Sequence, residues 1–374
     1  MIKISTRTQK IKQSGIREYL ELASQIRNPI NLSIGEPHFD MPRAVKQALI
    51  KAINAGKNKY SPTAGILELR KRVARKLQVE NNIRNVAVDN ILITAGTSGA
   101  IFLGLSALLN SEDEVLIPDP HFALYEAIVE FLGAKPIFID TYPDFNLTAD
   151  KIEKKITPKT KILIINSPNN PTGKMINVDE IKKIVVLCKK YHIFVISDEI
   201  YEKFSYDLPH KSIGEFYDDV LVVNGFSKSY SMTGSRVGYA CGPVELIREM
   251  TKLQQYTFVC APTAVQYAAI KAFDVDISKR VTVYKSQSVE AYSFLKNAGF
   301  EVEKVQGGFY LFPRLPINIT ATEFSRQLIE KKTLVIPGRA FSIKDSHFRI
   351  SISVPRNTLK VGLKNIIEQV QRFF

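Results

Sequence analysis

Short apolar runs rich in isoleucine and valine recur through the middle of the chain and alternate with longer amphipathic stretches. The clearest runs cover residues 91–94, 114–117, 162–165, 194–197 and 220–223. Near-continuous apolar runs are typical of strands that are covered by helices on both faces. Alternation of such strands with helical patterns is typical of βαβ units. The pattern therefore predicts an α/β domain built on a mainly parallel sheet.

The pattern changes after about residue 280, where the apolar runs at 308–312 and 348–352 include more polar positions. This change predicts a second, smaller α+β domain that the N-terminal segment completes. We expect a large domain over residues 46–280 and a small domain formed by residues 1–45 together with 281–374. A chain of 374 residues with 45% hydrophobic residues is long and apolar enough for two such cores.

The formal net charge of +14 is compatible with nucleic-acid binding and with an enzyme that binds small anions. The basic residues are distributed along helical stretches such as 68–76 and 182–190, and they do not form a block interleaved with aromatic residues. This distribution is typical of solvated helix faces. It favours an enzyme with anionic small-molecule ligands, and we expect neither a nucleic-acid nor a membrane partner.

The cysteines and the N-terminus indicate the cellular compartment. Cys188, Cys241 and Cys260 have spacings that match neither a disulfide framework nor a zinc site, so we expect reduced cysteines and no bound metal. The first ten residues are polar and basic and do not lead into the apolar run of a signal peptide. No apolar stretch is long enough to span a bilayer. We therefore expect a cytoplasmic protein.

Chemically unusual residues follow the predicted strands, where open α/β sheets bind their ligands. These segments are residues 95–99, 118–122, 166–173, 198–201 and 225–229. The last segment contains Ser227, Lys228 and Ser229, and Arg236 follows the lysine by eight positions. We expect one ligand site at this edge of the sheet, with Lys228 in it.

Several motifs occur in a characteristic order along the chain. They are the segments 32–37 and 170–173, Asp198 with Tyr201, Ser227-Lys228 with Arg236, and the segment 349–351. In this order they resemble the class I and II aminotransferases, which are fold-type I pyridoxal phosphate enzymes, and especially the bacterial and archaeal aspartate or aromatic branch. The resemblance implies a mainly parallel seven-stranded sheet with helices on both faces, a smaller α+β domain, and pyridoxal 5'-phosphate as the cofactor.

The resemblance implies three catalytic residues. Lys228 would carry the cofactor as an aldimine, and burial beside other cations would favour the neutral amine that this bond requires. Asp198 would pair with the pyridine nitrogen and keep it protonated, which makes the ring an electron sink. Tyr201, together with Asn170, would donate a hydrogen bond to the cofactor's phenolic oxygen.

The resemblance also implies a cradle for the cofactor's phosphate. Gly96, Thr97 and Ser98 follow a predicted strand and precede a helical run, so their backbone N–H groups would face the phosphate at a helix N-terminus. The hydroxyl of Ser227 and the guanidinium of Arg236 would complete the cradle, since a planar guanidinium suits bidentate contact with phosphate.

Further residues are implied for the substrate and for a second subunit. Arg349 would clamp the substrate α-carboxylate with two parallel hydrogen bonds. The backbone N–H of Gly35 and the side chain of Asn170 would contact the substrate at the same place. Tyr60 matches a tyrosine that reaches the phosphate of a neighbouring subunit, which implies a homodimer with shared active sites.

The chain departs from the family pattern at three positions. Phe122 stands where the family has the aromatic residue that stacks on the cofactor ring, although many relatives carry tyrosine or tryptophan there. Ser98 stands where many relatives carry glutamine. His38 stands where aspartate is common, and we assign it no catalytic role, because a lone loop histidine is more often structural.

These residues together predict an enzyme of the aminotransferase class. It would move an amino group from an L-amino acid, of the aspartate or aromatic type, to a 2-oxo acid such as 2-oxoglutarate by a ping-pong mechanism. A carbon–sulfur β-lyase on the same scaffold is the main alternative, because the same cofactor residues serve several reactions. A regulator that uses the domain as a cofactor sensor is a further alternative. The sequence alone does not identify the amino donor, since that depends on the geometry of the side-chain pocket.

Overall fold

A computed structural model describes residues 2–11, 13 and 15–374 of the chain. Helices and strands alternate through most of it. The helices are α1 (Thr6–Lys10), α2 (Gly15–Gln25), α3 (Arg43–Asn54), α4 (Leu67–Glu80), α5 (Gly96–Leu108), α6 (Leu124–Phe131), α7 (Ala149–Glu153), α8 (Val178–Tyr191), α9 (Val244–Thr257), α10 (Thr263–Ala272), α11 (Ser278–Asn297), α12 (Ala321–Glu330) and α13 (Arg356–Gln371). The strands are β1 (Ile30–Asn31), β2 (Ile91–Thr94), β3 (Glu114–Asp119), β4 (Lys135–Asp140), β5 (Thr160–Asn166), β6 (Phe194–Asp198), β7 (Val220–Gly225), β8 (Gly238–Cys241), β9 (Tyr310–Leu311), β10 (Thr333–Leu334), β11 (Ile336–Pro337) and β12 (Phe348–Ser351).

The central sheet has the strand order β2-β8-β7-β6-β5-β3-β4. Strand β8 runs antiparallel to both of its neighbours, and the remaining pairs are parallel. This arrangement confirms the predicted fold class. The sequence pattern identified β2, β3, β5, β6 and β7 but missed β4 and β8. Strand β4 is a half-exposed edge strand that contains Pro136, and β8 is a short strand that begins with a glycine, so neither forms the long apolar run of a central strand.

Both faces of the central sheet are buried. Along β3, Leu116 packs into one hydrophobic cluster, whereas Val115 and Ile117 pack into another cluster on the opposite face. Successive side chains of a strand point to opposite faces, so a strand that is covered on both sides must be apolar at every position. Burial on both faces therefore explains the near-continuous apolar runs in the sequence.

The C-terminal part of the chain and the N-terminal strand β1 form two small sheets. Strands β11, β12 and β9 form an antiparallel sheet, and β1 pairs in parallel with β10. Leu32, Phe309 and Ile350 belong to the same buried cluster, which joins the N-terminal segment to the C-terminal part. The division into domains at residue 280 remains a prediction, and that position lies in the first turn of α11.

Two further observations concern the state of the cysteines and the length and apolar character of the helices. Cys188, Cys241 and Cys260 are free thiols; the first two are buried and Cys260 is half-buried. In the part of the chain that the structure describes, no helix has both the length and the apolar character needed to cross a membrane.

Candidate active site

A cavity of about 240 Å³ lies at the carboxyl ends of β5, β6 and β7, facing β9 and β12. It is lined by Ile16, Ile34, Gly35, Thr97, Ser98, Phe122, Tyr125, Asn166, Asn170, Asp198, Ile200, Tyr201, Ser227, Lys228, Thr233, Arg236, Tyr310 and Arg349. This set contains all of the candidate residues from the sequence except Gly96 and Tyr60. The predicted position at the strand ends is therefore where the candidates meet.

Lys228 follows β7 by three residues and is the amine of this cavity. Its Nζ donates a hydrogen bond to the carbonyl oxygen of Gly35 over 2.7 Å. Burial, together with the nearby guanidinium of Arg349, lowers the pKa of Lys228 to about 8. A neutral amine, which is the nucleophilic form, is therefore accessible close to neutral pH.

Asp198 is the last residue of β6 and is 3% exposed. Its Oδ2 accepts a hydrogen bond from the hydroxyl of Tyr125 over 2.8 Å, and its Oδ1 accepts one from the backbone N–H of Ile200 over 3.2 Å. Burial raises the pKa of Asp198 to about 6, although the bond from Tyr125 opposes the shift. The carboxylate can therefore be ionised at neutral pH, and it would be stabilised by a cationic partner.

Tyr125 was not identified from the sequence, although it lies in the first turn of α6, three positions after Phe122. The rings of the two residues meet edge to face with their centroids 5.8 Å apart. The sequence carries no periodic signal for Tyr125, because Phe122 precedes α6 and the two residues are joined by a turn in which the N–H of Tyr125 donates to the carbonyl oxygen of Phe122 over 3.1 Å.

Tyr201 and Tyr310 form a second pair of buried hydroxyls, with their oxygens 3.1 Å apart. Sequence analysis predicted only a strand around Tyr310 and assigned it no role in the site. A Cβ at Gly35 would lie 1.8 Å from the Tyr310 hydroxyl. The segment after β1 can therefore approach Tyr310 only because residue 35 is glycine.

Arg349, on β12, is 2% exposed. Its Nη1 donates to Oδ1 of Asn170 over 2.9 Å, and its Nη2 donates to the carbonyl oxygen of Ser33 over 2.6 Å. The guanidinium lies over the rings of Tyr310 and Phe341, at 4.4 and 4.6 Å from their centroids. Among the described residues, Nε has no hydrogen-bond partner. A buried cation held in this way favours an anionic ligand, because burying an unmatched charge is costly.

A second cation stands at the other end of the cavity, where α5 begins at Gly96. Gly96 has φ of +73°, and a Cβ there would lie 2.6 Å from Nη2 of Arg236. Arg236 is itself in a left-handed conformation with φ of 51°, and its Nη1 donates to the carbonyl oxygen of Thr233 over 2.8 Å. The guanidinium therefore lies against the first turn of α5, whose N-terminus carries partial positive charge. This end of the cavity suits a phosphate.

Besides Gly96, two residues that the sequence singled out, Tyr60 and His38, do not line the cavity. Tyr60 is 84% exposed, so it does not contribute to the site of its own chain. His38 packs against Phe39, and its Nδ1 lies 3.3 Å from the hydroxyl of Tyr284. Burial lowers the pKa of His38.

Comparison with known proteins places these residues in a family context. A family model for aminotransferase class I and II matches residues 27–366. A probable aspartate aminotransferase of Methanocaldococcus jannaschii is 40% identical, with 98% of this chain and 99% of the relative covered. Aromatic-amino-acid aminotransferase 2 of Thermococcus litoralis is 36% identical, with 96% of each chain covered. The solved structure of aspartate aminotransferase from Thermus thermophilus with maleate superimposes with a TM-score of 0.94 at 31% identity, covering 99% of this chain and all of the other.

Proposed function

Because the chain belongs to the class I and II aminotransferases, which are pyridoxal phosphate enzymes, we propose that it moves the amino group of an L-amino acid to a 2-oxo acid by a ping-pong mechanism. The expected donors are of the aspartate or aromatic type, and 2-oxoglutarate is the expected acceptor, since relatives named for both types of donor cover almost the whole chain. The proposal depends most on the meeting of Lys228, Asp198 and Arg349 in one cavity.

The residues of the cavity fit pyridoxal phosphate. Arg236, together with the N-terminus of α5, matches the phosphate, and Gly96 leaves room for the guanidinium because a Cβ there would collide with it. The carboxylate of Asp198 matches a protonated ring nitrogen. Lys228 matches the aldehyde. Thr97, Ser98 and Ser227 would donate further hydrogen bonds to the phosphate, Phe122 would stack on the ring, and Tyr201 with Asn170 would contact the phenolic oxygen.

When bound, pyridoxal phosphate supplies an aldehyde and a ring that accepts the electron pair left at the substrate Cα after deprotonation. Lys228 Nζ, whose pKa is lowered to about 8, is the proposed base that would take the proton from the substrate Cα and deliver it to the C4' carbon of the cofactor. Asp198 would hold the proton on the ring nitrogen. Tyr125 would orient Asp198 through its hydrogen bond to Oδ2.

Arg349 is the proposed binding site for the substrate α-carboxylate. Its guanidinium is oriented by Asn170, by the carbonyl oxygen of Ser33 and by the two aromatic rings that flank it. A planar guanidinium fixed in this way can present two parallel donors to a carboxylate. The backbone of Gly35, which lies beside Lys228 and Tyr310, would contact the same carboxylate.

A homodimer is the proposed assembly. Tyr60, Leu67, Tyr256, Phe258 and Val259 are large hydrophobic residues with exposures between 39% and 84%. Hydrogen bonds from Gln254 to the carbonyl oxygen of Thr63 and from Thr263 to that of Lys59 bring these segments together, and a contiguous exposed apolar patch is typical of a surface that a partner covers. In such a dimer the Tyr60 hydroxyl would reach the phosphate site of the other subunit. The cytoplasmic location remains a prediction.

The half-reactions test this function directly. The loaded enzyme should lose its visible absorbance when a suitable L-amino acid is added, and the absorbance should return when 2-oxoglutarate is added. A panel of donors that includes aspartate, glutamate, phenylalanine and tyrosine would identify the preferred type. Release of pyruvate and ammonia from cystathionine, without the reversible change in absorbance, would instead support the β-lyase.

A further inference from the structure

A buried group of charges lies next to Asp198 and outside the cavity. Glu199, which follows Asp198 directly, is 1% exposed. Its Oε1 accepts hydrogen bonds from the hydroxyls of Ser197 and Ser212, over 2.9 and 2.7 Å. Its Oε2 lies 3.1 Å from Nε2 of His210, whose side chain is 7% exposed. Glu199 lies in the segment 198–201 that the sequence singled out, but neither it nor His210 was assigned a role, and His210 lies in the irregular segment between two short 3₁₀ turns.

A second buried carboxylate completes the group. Glu202 forms an ion pair with Lys76 of α4 and accepts a hydrogen bond from Nδ2 of Asn81 over 2.8 Å. Acceptor or donor atoms of Glu199, Glu202 and His210 lie within 4.8 Å of one another. Two carboxylates thus face one lysine and one histidine. Further polar groups near the carboxylates come from the neighbouring elements, namely Tyr230, Tyr239 and Cys241, and Glu80 lies near the two tyrosines.

Charge balance in this group depends on His210. Lys76 matches Glu202, so Glu199 is matched only when His210 carries a proton. A neutral His210 would leave a net negative charge in a region closed to water, which is costly. Burial alone would lower the pKa of His210, but the carboxylates of Glu199 and Glu202 outweigh burial and raise it. Glu199 acts in turn on its neighbour, since its negative charge is among the causes that raise the pKa of Asp198, after burial.

We propose that the proton on His210 neutralises Glu199 and thereby keeps Asp198 ionised opposite the cofactor ring. His210 is then a positioning residue for the transamination proposed above, because it acts on the ring only through Glu199 and Asp198. This role rests on the proposed function, but the ionisation of Asp198 can be followed in the full chain whether or not the protein transaminates.

The arrangement of the ligand atoms favours a proton over a metal ion as the matching charge. Both oxygens of Glu202 are engaged, one by Lys76 and the other by Asn81. Oε1 of Glu199 accepts two serine hydroxyls. Only Oε2 of Glu199 and the imidazole of His210 are left to bind a cation, which is fewer ligands than zinc takes in its structural sites. A metal ion would also have to displace the ammonium of Lys76 from the group.

Two substitutions that each remove one charge should have opposite effects on the titration of Asp198, and this difference tests the proposed role of His210. In the full chain with aspartate labelled by ¹³C at the carboxyl carbon, the Asp198 resonance is identified by its loss in Asp198→Asn. His210→Gln leaves Glu199 unmatched and should move the Asp198 titration up by about one pH unit, the lower end of the range for a neighbouring charge. Glu199→Gln should move the titration down, and the double variant should lie close to Glu199→Gln. His192→Asn, which changes an exposed histidine at the end of α8, should leave it unchanged.

The loaded enzyme gives a second measurement. The apparent pKa on the acid side of the kcat/KM profile should move up for His210→Gln and down for Glu199→Gln. For both variants, kcat at the optimum pH should change less than fivefold. If both single variants moved the Asp198 titration in the same direction, or not at all, the role would be only structural and the proposal would be wrong. A titration of wild-type protein that shifts when a chelator is added would also overturn it, because a metal ion would then be the matching charge.

Discussion

Replacing Gly96 with alanine tests the phosphate end of the site. The substitution has two separate effects, because Gly96 has φ of +73° and because a Cβ there would lie 2.6 Å from Nη2 of Arg236. Alanine in a left-handed conformation costs about 1–2 kcal/mol of stability. The collision displaces the guanidinium from the phosphate, and a hydrogen bond to a charged group contributes about 1.5–3 kcal/mol. The dissociation constant for pyridoxal phosphate should therefore rise roughly 10- to 150-fold.

Two other glycines separate these effects. Gly56 has φ of +69°, and a Cβ there would have no other atom within 4 Å, so Gly56→Ala should lower the stability in urea by a similar 1–2 kcal/mol while leaving cofactor binding unchanged. Gly99 lies within α5, and its Cβ would make only ordinary contacts at 3.4 Å or beyond. Gly99→Ala should change neither the free energy of unfolding nor the free energy of cofactor binding by more than about 1 kcal/mol.

Fluorescence titration of the cofactor-free variants with pyridoxal phosphate gives the dissociation constants, and urea unfolding gives the stabilities. A Gly96→Ala protein that binds the cofactor as tightly as the wild type would refute the assignment of Arg236 to the phosphate. Equal weakening of binding by Gly56→Ala would show instead that backbone strain alone accounts for the loss.

Three further predictions concern Lys228, Arg349 and Asp198. Lys228→Ala should abolish turnover and still bind the cofactor, as measured by absorbance titration; retained turnover would exclude Lys228 from the mechanism. Arg349→Lys loses the planar pair of donors, worth about 1.5–3 kcal/mol, so KM for the amino acid should rise roughly 10- to 150-fold with cofactor affinity unchanged. The pKa of Asp198, about 6 against an ordinary 3.8, is raised in the folded state, so its ionisation lowers the stability of the cofactor-free protein as pH rises from about 4 to about 6. Asp198→Asn should therefore gain about 2.4 kcal/mol relative to wild type in urea unfolding between pH 4 and pH 7, and an equal difference at both pH values would contradict this.

The central strands could be predicted from the sequence because both of their faces are buried. Strand β3 shows the cause, since Val115, Leu116 and Ile117 are all inaccessible to solvent. Strand β4 escaped prediction because it is half exposed, and β8 because its four buried residues, Gly238 to Cys241, include no branched aliphatic side chain. The sequence pattern thus identified the buried strands that are built from isoleucine, leucine and valine.

The candidate site could also be predicted only in part. Asp198 and Lys228 lie at the carboxyl ends of strands, and together with Arg236 they match a family motif, so their place at one edge of the sheet could be predicted. Tyr125 and Tyr310 enter the site through tertiary contacts, from a helix and from a strand far apart in the sequence. Their positions depend on how the elements pack, which no local pattern of the sequence specifies.

The central claim is that Lys228 is the residue that carries the cofactor in a transaminating enzyme. The most direct measurement is borohydride reduction of the loaded enzyme, followed by proteolysis and mass spectrometry of the labelled peptide. We predict the pyridoxyl label on Lys228 and its absence after prior incubation with an amino donor. A label on a different lysine, or none on Lys228, would contradict the account.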